Sequence, residues 1–187
     1  MNTRLARPRW KVLLPVVLLC VLGVFLGLGL TKDPRKLPSV LVGKAIPNFQ
    51  LPVLNPNGGG DPALQTISAP ELAGAPWVLN VFASWCQACV VEHPHLLELA
   101  RQKKIRLVGL AYKDDLANTR RWLAQYGNPY DLVLIDQQGQ YGIELGVYGV
   151  PETFLMSAHN TVLHKQVGPV SASYYDSIVS PALEASR

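Results

Sequence analysis

The stretch Ala83-Ser84-Trp85-Cys86-Gln87-Ala88-Cys89 decides how this chain is read. It follows Trp77-Val78-Leu79-Asn80-Val81-Phe82, a near-continuous apolar run of strand length, as a central buried strand would be. A helical pattern starts at about Cys86 and runs to about Gln102. A cysteine at a helix N-terminus faces unpaired backbone N–H groups and the positive end of the helix dipole, which favours its thiolate. Cys89, one turn later, lies on the same side of the helix. It can attack a mixed disulfide formed at Cys86 and release the reduced partner. Trp85 would partly shield the pair and offer an apolar contact.

A C-x-x-C after a strand, opening a helix, points to thioredoxin-like redox chemistry. Half of a zinc site is a competing reading, but zinc takes four ligands. The remaining thiol is the distant Cys20, and His93, His95, His159 and His164 have no diagnostic spacing. An inert structural disulfide is the other competitor. A peroxidatic cysteine would want P-x-x-x-T-x-x-C, and neither the proline nor the threonine stands upstream of Cys86. The expectation is a redox dithiol, Cys86–Cys89, with no metal and no cofactor beyond that pair.

Around this centre, strands alternate with helices. Ile105 to Tyr112 reads as the next strand, and Asp114 and Asp115 can cap a helix ending near Tyr126, before Gly127. Leu132 to Ile135 is a short strand, and Gly139 to Leu145 a helical turn. Thr153 to Met156 and Val162 to Val167 flank His159-Asn160 as a hairpin, and Ser171 to Leu183 closes the chain as one helix. Upstream, Ser68-Ala69-Pro70-Glu71 is a capping box opening a short helix that Gly74 ends. Asn55 to Pro62, with Gly58-Gly59-Gly60, is a surface loop; no Gly-Lys-Ser/Thr follows to make it a phosphate cradle. The pattern predicts an α/β sandwich around a mixed sheet.

The N-terminal quarter differs in kind. Val12 to Leu30 is an uncharged run of 19 residues, about 28 Å as a helix and close to a bilayer's hydrocarbon core. It is longer than a typical signal h-region, and its exit offers no small-residue cleavage site, so it reads as a retained anchor. Residues 1–44 hold eight Lys/Arg and one acid, while residues 45–187 hold nine and twelve, which together give the net +4. The basicity belongs to the flanks of the apolar run. The folded part is mildly acidic, which argues against nucleic-acid binding. The expected organisation is a cytoplasmic tail over 1–11, a transmembrane anchor over 12–30, a tether over 31–44 and an α/β domain over 45–187. The basic first flank puts that domain outside the cytoplasm.

Val78 to Pro94, V-L-N-V-F-A-S-W-C-Q-A-C-V-V-E-H-P, resembles the membrane-anchored thioredoxin-like proteins of cytochrome c maturation, the CcmG/DsbE thiol:disulfide interchange family. Gly146 to Leu155, with G-V-Y-G-x-P-E-T-F, is a second and more distinctive match, and Leu132 to Asp136 a third. The resemblance implies a thioredoxin-like three-layer sandwich behind one N-terminal transmembrane helix. It implies a single-pass protein of the inner membrane with its C-terminal domain in the periplasm. Cys86 is then the nucleophilic thiol and Cys89 the resolving one. Val150-Pro151 is the cis-proline peptide beside them, leaving the Val150 backbone free to pair with a substrate strand. Glu92 becomes an acid buried near the dithiol, where spacing alone reads as a solvated helix residue. Glu152 becomes an acidic groove residue, where residue type alone reads as a surface turn acid. Trp85, Val150, Pro151 and Glu152 are the expected substrate contacts. Two positions depart from the pattern: Asn80 stands where ordinary thioredoxin carries an aspartate, and Gln87-Ala88 lies between the cysteines where many members carry a proline.

The expected activity is reduction of a disulfide in apocytochrome c, or in a haem-ligation maturation partner, with re-reduction by a membrane electron donor of the thiol-reductase type. A general periplasmic reductase is a close alternative. A copper chaperone using Cys86, Cys89 and a histidine belongs to another class, as does an inactive scaffold.

Overall fold

The protein is described as a computed structural model covering residues 10–30, 41–54 and 65–185, without the side chains of 11, 12 and 30. The glycine loop expected over 55–62 and most of the expected tether lie outside the described residues. The chain divides into two units, Met1–Leu37 and Pro38–Arg187. In the first, helix α1 spans Trp10–Leu30 and contains Pro15. Its continuously described stretch, 13–29, is exposed throughout and rises only about 25 Å. Among the described residues no helix is long and apolar enough to cross a membrane.

The second unit opens with a small antiparallel ribbon, β1 (Gln50–Pro52) and β2 (Thr66–Ser68), which the sequence did not announce because three-residue strands carry no periodicity. A 3-10 turn follows over Ala69–Leu72, where the Glu71 carboxylate accepts from the Ser68 N–H and hydroxyl. Then come β3 (Trp77–Phe82), α2 (Gln87–Gln102), β4 (Arg106–Tyr112), α3 (Leu116–Tyr126), β5 (Leu132–Asp136), α4 (Gln140–Glu144), β6 (Glu152–Met156) and β7 (Val162–Val167). The sheet order is β5-β4-β3-β6-β7. The β3–β4 and β4–β5 pairs are parallel, and the β3–β6 and β6–β7 pairs antiparallel, giving the mixed sheet expected.

All six residues of β3 are buried, as a central strand covered on both faces requires. Asp115 caps α3 by accepting from the Ala117 and Asn118 N–H groups, and Gly127, at φ +93°, takes the chain out of it. Asn160 turns the β6–β7 hairpin at φ 58° and is held there from both sides: it accepts from Trp77 Nε1 at 2.9 Å and donates to the Ala69 carbonyl at 2.6 Å. Side chains of β3 alternate between two cores. Val78 and Phe82 meet Leu96, Leu99, Trp122 and Val179 on one face. Leu79 and Val81 meet Phe49, Leu72, Tyr141 and Phe154 on the other. The sheet is thus the middle of three layers.

The closing segment departs from the single helix expected over 171–183. It winds as a π-helical stretch, Tyr175–Val179, before α5, Ser180–Ala185. Pro181 supplies the reason: it has no N–H to give, and its ring crowds the carbonyl four residues back, so a regular α-turn does not fit there.

Candidate active site

The C-terminal end of β3 carries the dithiol, and the sheet register brings the proline loop to it. Val81 pairs with Glu152 and Asn80 with Thr153 in the antiparallel β3–β6 ladder. Residues just before Glu152 therefore lie beside the segment that follows Phe82. Cys86 is the N-cap of α2, and Cys86 and Cys89 form a disulfide with a Cα–Cα distance of 5.3 Å. The Cys89 N–H donates to Cys86 Sγ at 3.0 Å, so the α2 N-terminus solvates that sulfur as the helix-cap reading expects. The donor is the Cys89 amide. Cys86 is 5% exposed and Cys89 1%, so the outer sulfur is that of Cys86. Trp85 is 57% exposed beside them and donates its Nε1–H to the Lys113 carbonyl at 3.1 Å.

A clasp that sequence reasoning missed holds this turn. Asp114, expected only as a helix cap, is buried. It accepts from the Ser84 N–H at 2.6 Å, the Ser84 hydroxyl at 2.8 Å and the Thr119 hydroxyl at 3.0 Å. It thereby ties the dithiol loop to the start of α3. The only signal in the sequence was two adjacent aspartates where one suffices to cap.

Glu92, three residues beyond Cys89 on α2, is 1% exposed. The solvated-helix reading of this residue is thereby set aside. Its Oε1 accepts from Asn80 Nδ2 at 2.9 Å and its Oε2 from the Val170 N–H at 2.9 Å. Burial raises its carboxyl to about 7, against the pull of the Val170 and Asn80 bonds that favour the charged form. Asn80 also donates to Thr153 Oγ1 at 3.0 Å, and its Oδ1 accepts the Tyr130 hydroxyl at 2.7 Å. Burial, and then the Glu92 charge, push the Tyr130 phenol well up. A proton acceptor tuned near neutrality thus stands within a helical turn of the inner cysteine.

The Val150–Pro151 peptide is cis, as the resemblance implied. Among the described residues neither the N–H nor the carbonyl of Val150 has a hydrogen-bond partner. Glu152 requires a correction. It was expected to be an acid lining the groove, yet its side chain is 1% exposed and ion-paired at 3.0 Å to Lys165, itself 3% exposed. Thr153 faces Asn80, so Glu152, its neighbour along β6, points to the opposite side of the sheet. It presents no free charge to a partner. Among the described residues no group of three or more His, Cys, Asp or Glu side chains is placed to hold a metal ion.

Known proteins resemble this chain over most of its length. The Redoxin family matches residues 41–180. A thiol:disulfide interchange protein DsbE from Pseudomonas fluorescens biotype C is 43% identical over 162 residues, covering 87% of this chain and 86% of that relative. One from Allochromatium vinosum is 39% identical over 172 residues, covering 91% of each chain. Among solved structures, the thioredoxin domain of a thiol-disulfide oxidoreductase from Bacteroides vulgatus superposes with a TM-score of 0.62 at 14% identity, covering 77% of this chain and 99% of that one. That likeness shows the thioredoxin-like fold.

Proposed function

The chain belongs to the Redoxin family and, within it, to the DsbE thiol:disulfide interchange proteins; from that premise we propose that this thiol:disulfide oxidoreductase works in the reducing direction, on apocytochrome c or a partner of its haem ligation. The observation that carries the direction is Glu92. A buried carboxylate one turn from Cys89, with no cation bonded to it among the described residues, penalises any thiolate formed there. A dithiol whose inner thiolate, at Cys89, is disfavoured gives up its electrons more readily than one without that penalty.

In the proposed cycle the Cys86 thiolate attacks one sulfur of a client disulfide, forming a mixed disulfide and expelling the client's second sulfur as a thiolate. Glu92 accepts the Cys89 proton. The Cys89 thiolate then attacks Cys86, closing the Cys86–Cys89 disulfide and releasing the reduced client. Two electrons have passed to the client, and a membrane electron donor of the thiol-reductase type restores the dithiol. Trp85 and the cis Val150–Pro151 peptide contact the client: the unpaired Val150 backbone offers a strand edge beside the sulfurs, and the Trp85 ring an apolar wall. Glu152 acts on this surface only through the loop it holds.

The apolar, uncharged segment over 12–30 is proposed as a single inner-membrane anchor, with the domain in the periplasm, where cysteine pairs cycle freely. Tethering raises the effective concentration of the domain for membrane-bound partners. The experiment is a trap. With Cys89→Ala, Cys86 should accumulate mixed disulfides, and the captured chains should include apocytochrome c or its ligation partners. Capture of unrelated secreted proteins alone would indicate a general reductase instead. Absence of any mixed disulfide, with stoichiometric copper on the purified protein, would move the assignment to a copper chaperone.

A further inference from the structure

The buried pair Glu152–Lys165 lies at the foot of the loop that carries the cis peptide, and its contacts reach the middle of that loop. Lys165 Nζ is 3.0 Å from Glu152 Oε2 and donates to the Gly146 carbonyl at 2.7 Å. It also sits 4.1 Å from the centroid of the Tyr148 ring. One hydrogen bond to a carbonyl, an ion-pair contact to a carboxylate and a ring face thus surround one ammonium. The other carboxylate oxygen of Glu152 accepts the Tyr148 N–H at 3.0 Å. The ends of the loop have backbone anchors: Val147 N–H to the Gly142 carbonyl at 2.8 Å, and Gly168 N–H to the Pro151 carbonyl at 3.0 Å. Between them, among the described residues, the Tyr148 N–H bond to Glu152 is the one hydrogen bond that 148–150 makes, and Val150 adds apolar packing against both cores.

A buried ion pair contributes little net stability after desolvation, so its placement calls for another account. Lys165 grips one face of Tyr148 while that residue stays 69% exposed. It also cancels the Glu152 charge directly beneath the segment whose backbone is open. We propose that Lys165 is a positioning residue for client engagement: with Glu152 it clasps loop 146–151 so that the open Val150 backbone and the Tyr148 ring are presented to an extended, disulfide-bearing peptide. This rests on the reading of the chain as a reductase of protein disulfides.

The test uses the full chain in detergent, with dithiothreitol as the electron source. Two oxidants are compared: a disulfide-closed C-x-x-C-H peptide, and glutathione disulfide, which needs no strand pairing. Lys165→Met leaves Glu152 buried without a counter-charge and is paired with Glu152→Gln/Lys165→Met, which removes both charges. Lys165→Arg is the conservative control. For the double variant, KM for the peptide should rise by about tenfold or more, with the loss confined to the peptide. Amide exchange at Tyr148 and Gly149 should accelerate, and Lys165→Arg should recover both. An unchanged KM with unchanged amide exchange overturns the proposal, and so does an equal loss towards glutathione disulfide. If the unaltered protein turns over glutathione disulfide but not the peptide, the protein-disulfide reading fails, and amide exchange at Tyr148 and Gly149 still decides whether Lys165 holds the loop.

Discussion

Asn80 donates its side-chain amide to the Glu92 carboxylate at 2.9 Å, across the interface between the central strand and the active-site helix. Through that bond a strand residue that cannot take a proton fixes a helix residue that can. The acid that ordinary thioredoxin carries on the strand has, in effect, moved to α2, one turn from the inner cysteine. Because Asn80 also accepts from Tyr130 and donates to Thr153, neither its amide nor its carbonyl is free to turn away.

Stability should fall as pH rises through the range in which Glu92 ionises. Its carboxyl is raised from 4.5 to about 7, so below about pH 4.5 both folded and unfolded chains hold the proton and nothing is lost. Above 7 both have released it, and the folded state carries the full cost, roughly 3 kcal/mol. Glu92→Gln removes the charge but sets one amide donor against the Asn80 or Val170 donor, a loss of about 1 kcal/mol. Urea unfolding of the oxidised protein should find the variant slightly less stable at pH 4 and more stable, by about 1–2 kcal/mol, at pH 8. A difference that does not change with pH would disprove the ionisation.

The same substitution should slow turnover while leaving the first attack intact. Glutamine cannot accept the Cys89 proton, so the mixed disulfide at Cys86 should persist, and overall reduction of a protein disulfide should drop by about a hundredfold. The pH–rate profile should also lose its inflection near the Glu92 value of about 7. Quenched-flow sampling of the mixed disulfide reads both effects. Equal rates of formation and decay in the two proteins would remove Glu92 from the mechanism.

Restoring a strand acid beside the helix acid should be harmful. Asn80→Asp replaces the donor to Glu92 with a second carboxylate in a fully buried site, while the Thr153 hydroxyl can turn to donate to it. Two such groups cannot both ionise at that separation, so one keeps its proton to higher pH. The melting temperature should fall far more at pH 8 than at pH 5, corresponding to about 3–5 kcal/mol at the higher pH. Combining it with Glu92→Gln should recover most of the loss, a coupling a double-mutant cycle measures.

Much of this architecture was legible because the signals were local. Strand β3, the start of α2 at Cys86, the Asp115 cap and the Asn160 turn each follow from a few adjacent residue types. Long-range pairings were not legible. Nothing near Glu152 in the sequence announces that Lys165, a neighbour only through the β6–β7 ladder, neutralises it. That is why the expected groove acid proved to be an internal one. Asp114 was misjudged for a related reason: its partner Ser84 lies thirty positions away, joined through the parallel β3–β4 pair. The burial of Glu92 was visible only by resemblance, since helical spacing cannot show that the segment around Val170 covers it. The π-helical closing turn needed knowledge of how Pro181 sits in a packed helix.

Asp114 gives the last prediction, which separates holding the dithiol from reacting at it. Its carboxylate takes four donors: the Ser84 N–H and hydroxyl, the Thr119 hydroxyl and the Asp115 N–H. Asp114→Asn keeps the shape but turns one acceptor oxygen into a donor, so the backbone N–H of Ser84 or of Asp115 that faces it loses its acceptor. The cost should be about 2–4 kcal/mol. The freed Ser84-Trp85 turn should loosen the Trp85 bond to Lys113, changing the Trp85 emission and speeding the reaction of reduced Cys86 with iodoacetamide. The pH dependence set by Glu92 should be unaffected, because Asp114 lies outside that hydrogen-bond network. If the variant melts with the unaltered protein and its Cys86 alkylates at the same rate, Asp114 is only a helix cap, and the loop is held by something else.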